Sequence, residues 1–528
     1  MRFTARVFAA VLLLASPSFA KSIPLDEASV ADLNAAFAAG TLTSEKLVEL
    51  SLARIAAYDR QGPAVRAVIT LNPKALETAR ALDAERKAGK VRGPLHGIPV
   101  VLKDNYNTTD MQTTGGSILL EGSLPPADAY IVKRLREAGA IILAKVNMSE
   151  FASSSTNSSL GGQSRNPHDL TRTPAGSSGG SGVAIAAAYA TLGFGSDTSG
   201  SIRGPASVNG VVGMKPTTGL LSRSGIIPLS LTFDTGGPFA RNVADIAVAL
   251  GLLTGVDRAD ALTKTSTGKF EKDYVKFLKP GALKGARIGI ARDFMKQDED
   301  VDWIIEAALE TMKREGATIV DVKFPKWMMD SRGEFYSTVR NAEFALQIGD
   351  YLATLKPEYP KSLAEMIERG KRVTSRRADG AGANPPRWTL FEEELKAGNQ
   401  PEYVYTSVRD HGLPLMRASV QGLFAAEKLD AIVYPTSPRR PGPIVVTPGG
   451  GGGGGQSATN IASLTGFPDL IVPAGFTGDD LPVSISFMGT AYSEPRILAL
   501  GFAFEQATHA RRLPVNTPTL AGEMIEVP

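Results

Sequence analysis

From residue 93 onward, short apolar runs alternate along the chain with segments of helical spacing. IPVVL (98–102) and AIILAKV (140–146) read as buried strands, and DAYIVKRLREAGA between them as a helix that stops at Gly139. VAIAAAYATLGFGSD (183–197) predicts a buried helix followed by a strand. IGIARDF (288–294) and LDAIVYPTSP (429–438) predict further strands, the second running into a Pro-rich turn. The tail, LIVPAGF, LPVSISFMG and PRILALGFAFEQATHA, reads as two strands and a closing helix. Strands alternating with helices predict an α/β fold around a largely buried sheet.

Two stretches break this alternation. Residues 25–90 are helical in pattern: Thr43 is a candidate N-cap for SEKLVELSLARIAAYD, where Val48, Leu52 and Ile55 recur at helical spacing, and LNPKALETARALDAERKAGK continues the pattern to Gly89. Residues 300–420 are rich in charge and helix formers, as in VDWIIEAALETMKREGA, and include the less patterned KRVTSRRADGAGANPPRW. They read as a helical insertion with a loop, suited to cover a site on a rigid core. With no linker-like tract in the middle, residues 21–528 are expected to form one domain. Its parts are an N-terminal helical layer (21–90), a core (93–290), the insertion (300–420) and a C-terminal part of the core (429–515). Seven consecutive glycines, Gly449–Gly455, read as a mobile surface loop; a phosphate cradle is disfavoured because no Lys-Ser or Lys-Thr pair follows.

Composition narrows the setting. In MRFTARVFAAVLLLASPSFA, Arg2 and Arg6 precede an apolar core from Val7 to Ala15, and Ser18 and Ala20 occupy small-residue positions; this predicts a signal peptide over 1–20 and a periplasmic or secreted protein. About nine apolar residues are too few for a membrane anchor, which needs about twenty. The 528 residues contain no cysteine, which excludes thiol nucleophiles and thiolate metal sites, while a chain of this size can bury enough apolar surface to fold without disulfides. A formal charge of +3 with 21% charged residues argues against nucleic acid as a partner and for a small molecule or short peptide.

The candidate chemistry lies in AGSSGGSGVA (175–184). A flexible linker would not lead directly into the apolar VAIAAAYA, so the small residues imply close backbone approach. Gly176-Ser177-Ser178-Gly179-Gly180 also fits G-x-S-x-G, the nucleophile elbow of an α/β-hydrolase-type esterase, with Ser178 as nucleophile. The histidines well downstream, His411 in RDHGLP and His509 in EQATHARR, have polar surroundings and no evident acidic partner. A non-catalytic periplasmic binding protein would also account for export and an α/β pattern. Two further elements bear on the choice. GSDTSGSIRGPA (195–206) is a second Gly-Ser cluster, and GPLHGIPVVLKDN (93–105) places Lys103 directly after a buried strand, where it is either a snorkelling surface residue or a desolvated amine.

Together these elements resemble the amidase signature family over about residues 30 to 515. The match runs through AGSSGGSGVAIAAAYATLGFGSDTSGSIRGPA, NGVVGMKPTTGLLSRSGIIP and DTGGPFARNVAD. RAVITLNP, GPLHGIP, SRSGIIP and the export signal look most like secreted bacterial amidases, including those that remove C-terminal amides from peptides. The resemblance implies a central mixed, twisted β-sheet covered by helices on both faces. It implies a linear-amide hydrolase without metal or cofactor, with Ser201 as nucleophile, Ser177 as bridging serine and Lys103 as base. It further implies a cis Gly176-Ser177 bond and an oxyanion hole of backbone N–H groups from Thr198, Ser199, Gly200 and Ser201. Asp197 and Arg203 flank the nucleophile and could touch substrate, but their opposite charges are expected to form a buried ion pair or hydrogen-bond anchor; Ser178 is expected to support Ser177 or Lys103. The motif departs from the family at Ala175, where glycine is common, and at Ser199, where glycine or alanine is usual. A part in tRNA-dependent transamidation, which the family also plays, conflicts with the signal sequence and near-neutral charge.

Overall fold

The computed structural model describes residues 21–153, 157–445, 452–453 and 459–528. The expected signal peptide and most of the glycine run lie outside these residues; within the run, Gly452–Gly453 pairs antiparallel with Ile444–Val445. Eleven strands form one mixed sheet: β1 (Val68–Leu71), β2 (Pro99–Lys103), β3 (Ile141–Val146), β4 (Leu192–Asp197), β5 (Val212–Lys215), β6 (Thr235–Ala240), β7 (Arg287–Ala291), β8 (Thr318–Val322), β9 (Ala431–Pro435), β10 (Asp469–Phe476) and β11 (Pro482–Met488). Their spatial order is β8-β7-β9-β11-β10-β5-β6-β4-β2-β3-β1. Parallel blocks, β8-β7-β9 and β4-β2-β3, flank an antiparallel middle. A separate antiparallel pair, Lys21–Pro24 with Met524–Val527, ties the two ends of the described chain together.

The period of two along β2 shows why both faces are covered. Val100 and Leu102 pack into one apolar cluster with Ile131, Leu135, Ile246 and Leu250, whereas Val101 packs into another with Val183, Ile185, Ile55 and Val48. Helices therefore lie on each side, Tyr130–Glu137 and Val243–Leu253 on the first and Gly179–Ala186 on the second. Thr43 caps the Ser44–Tyr58 helix, accepting from Lys46 N at 3.1 Å. Among the described residues no helix is long and apolar enough to cross a membrane.

The architecture is thus the expected mixed α/β sheet between helices, with three differences in its elements. The N-terminal helical layer also carries the edge strand β1. The strands β5 (VGMK) and β6 (TGGPFA) sit at the buried centre without a β-branched run to announce them. Packing explains β6: a Cβ on Gly236 would meet the Tyr106 hydroxyl, and one on Gly237 the Met214 carbonyl, so tertiary fit overrides strand propensity. Finally, the insertion begins later than residue 300. The Glu299–Arg314 helix buries Val301, Ile305, Leu309 and Met312 in the main core, and TIVDV follows as edge strand β8, so the separate helical tier starts with Lys326–Ala353.

That tier has its own apolar centre, where Phe344 and Phe391 stack with centroids 6.1 Å apart and Phe151 of the core meets both edge-on. Beside Phe151, the fully buried Glu150 accepts from Ser117 Oγ (2.6 Å) and Ser159 N (3.0 Å) of the core. It also accepts from Asn384 Nδ2 (2.8 Å) and Trp388 Nε1 (2.9 Å) of the tier. The next residue back, Ser149, donates its N–H to Ser177 O at 3.0 Å, so the pin between tier and core adjoins the Gly-Ser segment.

Candidate active site

Two neighbouring parallel strands carry the candidate groups to one sheet end. β2 ends at Lys103 and β4 at Asp197, with Leu102 in register with Phe194, so Lys103 falls opposite Gly195 and its amine reaches Ser196 one residue further along β4. β4 then turns through Thr198–Ser201 into the Arg203–Val208 helix. Gly200 takes φ +139°, a conformation that favours glycine and permits this turn. The segment Ala175–Ser178 approaches from the other side and opens the Gly179–Ala186 helix. The Gly176-Ser177 bond is cis, and Ala175 has φ +56°, the left-handed region in which glycine is the least costly residue.

Lys103 is fully buried. Its Nζ lies 2.7 Å from Ser177 Oγ, 2.8 Å from Ser196 Oγ and 3.3 Å from Ser196 O. Burial pushes the Lys103 amine down to about 7, against the pull of Asp197 and Asp234, so a neutral amine is accessible near neutral pH. Ser178 N donates to Ser201 O at 3.1 Å, which ties the Ser177 segment to the Ser201 loop. Ser177 and Ser201 are 2% and 7% exposed, enclosed but reachable. These elements bring Lys103, Ser177 and Ser201 to one place, an arrangement suited to moving a proton from a serine hydroxyl to a desolvated amine.

Ser178 behaves differently from an elbow nucleophile. It is fully buried, with Oγ donating to Ser196 O at 3.1 Å, and no strand immediately precedes it. His411 and His509 are exposed and bonded to none of these serines. Ser178 instead braces the residue that faces Lys103.

Asp197 organises the turn from below. It accepts from Gly200 N (2.8 Å), Ile202 N (2.9 Å) and Arg203 Nε (3.2 Å). Arg203 continues to Ser463 Oγ (2.6 Å) and Asp469 (3.3 Å), and Tyr434 also donates to Asp469. Burial alone would raise the Asp197 carboxyl, but Arg203, Lys215 and the backbone N–H groups hold it at about 2. Because the Gly200 N–H is turned inward to Asp197, it is removed from the expected oxyanion donors; those of Thr198, Ser199 and Ser201 remain the expectation. On the other side, Thr198 Oγ1 donates at 2.6 Å to Asp234, whose carboxylate also holds Leu229 N and Ser230 N. Replacing Asp197 with alanine is expected to cost about 3–5 kcal/mol, since it leaves Arg203 undercompensated in the core. It should also lower kcat by about 10²–10³-fold through a loosened turn; denaturant unfolding and steady-state kinetics measure the two.

A cavity of about 320 Å³ opens beside Ser199, lined by Phe294, Arg332, Tyr336, Pro438 and Asn460 among others. Tyr336 comes from the helical tier and lines this cavity together with Ser199, so the tier contributes directly to the wall next to the turn. The sequence patterns assign no role to Tyr336, Asp234, Glu150, Ser196 or Asn105. Asp234, Ser196 and Asn105 lie inside the quoted motifs, whereas Tyr336 and Glu150 reach the site only through tertiary packing.

The sequence model of the Amidase family matches residues 46–498. The chain belongs to the amidase family. It is 35% identical over 506 residues to a probable amidase of Arabidopsis thaliana, covering 93% of this chain and 92% of that one. An amidase family protein from Bacillus anthracis shares 32% identity and superposes with a TM-score of 0.82 over 93% of this chain and 92% of that one. The native peptide amidase from Stenotrophomonas maltophilia shares 40% identity and superposes with a TM-score of 0.81 over 93% of this chain and 99% of that one. This amidase is accordingly a carbon–nitrogen hydrolase acting on amides.

Proposed function

We propose that this amidase is an exported enzyme that opens a carboxamide through an acyl-enzyme on Ser201, with Ser177 as proton relay and Lys103 as base. The observation that carries the proposal is the 2.7 Å approach of the buried Lys103 Nζ to Ser177 Oγ, with the amine held near 7 by desolvation. As Ser201 Oγ attacks the substrate carbonyl, its proton passes to Ser177 Oγ while the Ser177 proton passes to Lys103. Backbone N–H groups of Thr198, Ser199 and Ser201 meet the oxygen that gains charge, each worth about 3–4 kcal/mol in sites of this kind. The relay then runs backwards: Lys103 returns its proton through Ser177 to the departing amine, the C–N bond breaks, and the acyl group stays on Ser201. Water enters along the same path, deprotonated through Ser177, and releases the carboxylic acid. No cofactor or metal is called for by these steps.

For the substrate, similarity to a peptide amidase supports the amide of a short peptide, and the cavity beside Ser199 offers both aromatic and hydrogen-bonding walls to an acyl chain of that kind. The proposal includes export to the periplasm or medium, on the strength of residues 1–20. An assay of peptide C-terminal amides against matched aryl amides, alkyl amides and esters tests the substrate: peptide amides are expected to give a kcat/KM at least about tenfold above the others, a difference of about 1.4 kcal/mol in transition-state binding. Equal or higher values for simple aryl or alkyl amides would overturn the peptide assignment while leaving the serine chemistry standing.

A further inference from the structure

The Lys103 amine makes a third kind of contact that the serine relay does not use. Besides Ser177 Oγ, Nζ meets both oxygens of one residue, Ser196 Oγ at 2.8 Å and Ser196 O at 3.3 Å. Ser196 Oγ in turn accepts from Asn105 Nδ2 at 3.0 Å. With Lys103 and Asn105 both donating to it, Ser196 Oγ has its two lone pairs filled and faces Lys103 purely as an acceptor. Asn105 follows Lys103 by two residues, is 1% exposed, and has its backbone fixed by Ile227 N, which donates to Asn105 O at 2.9 Å. Ser196 is held independently, since its N–H and C=O both bond Ser178 Oγ.

Counting hydrogens gives these contacts a purpose. A neutral amine has two N–H bonds and one lone pair. If the two N–H groups point to Ser196 Oγ and Ser196 O, the lone pair is left facing Ser177 Oγ, where a base must accept. Without the Ser196 hydroxyl, an amine at the end of four methylenes could turn an N–H toward Ser177 instead and become useless as an acceptor.

We propose that Ser196, steadied by Asn105, is a positioning residue that takes up the N–H groups of neutral Lys103 and so directs its lone pair to Ser177. This rests on the assignment of Lys103 as base in the preceding subsection. The charged and titratable groups around the amine are few. Asp197 follows on β4, Asp234 lies before β6, the Asp104–Lys145 pair (3.2 Å) continues from β2, and the Tyr106 hydroxyl is occupied by Gly195 O. None of these carboxylates bonds Nζ, so the acceptors nearest the amine are hydroxyl and carbonyl oxygens.

The test is the pH profile of kcat/KM for three variants. Both forms donate one bond to Ser196 Oγ, but the bond from the charged ammonium is the stronger, so Ser196→Ala removes more from the ammonium. Its acid limb should move to lower pH, with kcat down on the order of 10- to 100-fold and KM nearly unchanged. Ser196→Thr keeps the acceptor and should restore most of kcat. Asn105→Asp places a negative charge beside the same hydroxyl and should move the acid limb the opposite way, to higher pH, a reversal that a purely structural role would not produce. A Ser196→Ala enzyme with the wild-type limb and kcat, or an Asn105→Asp enzyme whose limb stays put, overturns the proposal. Lys103→Met separates the two levels. If it is inactive while Ser196→Ala keeps the wild-type profile, only the positioning role falls; if it retains turnover, the base assignment falls and the positioning role with it.

Discussion

Ser201→Ala should lower kcat by about 10⁵- to 10⁶-fold, the scale seen when the nucleophile of a hydroxyl-based hydrolase is removed, while leaving the folded protein intact. The loss is large because the members of such a relay act as a unit: with no Oγ to attack, neither Ser177 nor Lys103 has a proton to move. The fold should survive because Ser201 contributes to packing through its backbone, whose carbonyl accepts from Ser178 N and is untouched by the substitution. Ser178→Ala is the informative control. Its hydroxyl braces Ser196 from 3.1 Å away, so its loss should reduce turnover by far less than Ser201→Ala. Steady-state assays and circular dichroism on the two variants make the comparison, and a Ser178→Ala enzyme as inactive as Ser201→Ala would favour the elbow serine instead.

The second large effect concerns stability as well as rate. Lys103→Met should lower kcat by about 10²–10⁴-fold, the usual contribution of a general base. It should also stabilise the fold. Lys103 has a folded value of about 7 against an ordinary 10.5, depressed by burial. Between those two pH values the unfolded chain binds a proton that the folded chain gives up, so the wild-type protein gains stability as pH rises through that window and bears the full cost below about 7. That cost is roughly 4–5 kcal/mol. Methionine removes it but strands the hydroxyl of Ser177, at about 1–3 kcal/mol for an unpaired group, while Ser196 Oγ keeps its bond from Asn105. The variant should therefore be more stable than wild type at pH 6, by about 2 kcal/mol, with the advantage shrinking steadily toward pH 10. Denaturant unfolding at pH 6, 8 and 9.5 reads the difference. A Lys103→Met protein that is less stable at pH 6, or whose difference from wild type does not change with pH, contradicts a desolvated neutral lysine.

Much of this was visible in the sequence where chemistry is local. The strands IPVVL and AIILAKV announced themselves by apolar runs, and Lys103, Ser177 and Ser201 lay in motifs whose joint presence narrowed the reaction. The cis Gly176-Ser177 bond followed from the same resemblance, and the Asp197–Arg203 pair from the opposite charges flanking Ser201. What stayed hidden depends on contacts between distant parts of the chain. Strand β6, TGGPFA, looks like a turn because glycine and proline usually break strands; only the tight approach of Met214 and Tyr106 shows why side chains are missing there. Glu150 has no special context in NMSEFA, yet it gathers four donors from two layers, the tier's lying 234 and 238 residues further along the chain. Tyr336 sits in an ordinary helical stretch and matters because it lines the cavity beside Ser199. The Gly200 amide illustrates a finer limit: its place in the turn was legible, but not that Asp197 would claim it.

The most direct test of the serine relay is to label the wild-type enzyme with a fluorophosphonate, digest it, and locate the adduct by mass spectrometry. One adduct is expected, on Ser201, absent from Ser201→Ala and strongly slowed in Lys103→Met. An adduct on Ser178, or labelling of Ser201 that proceeds at the wild-type rate without Lys103, would contradict it.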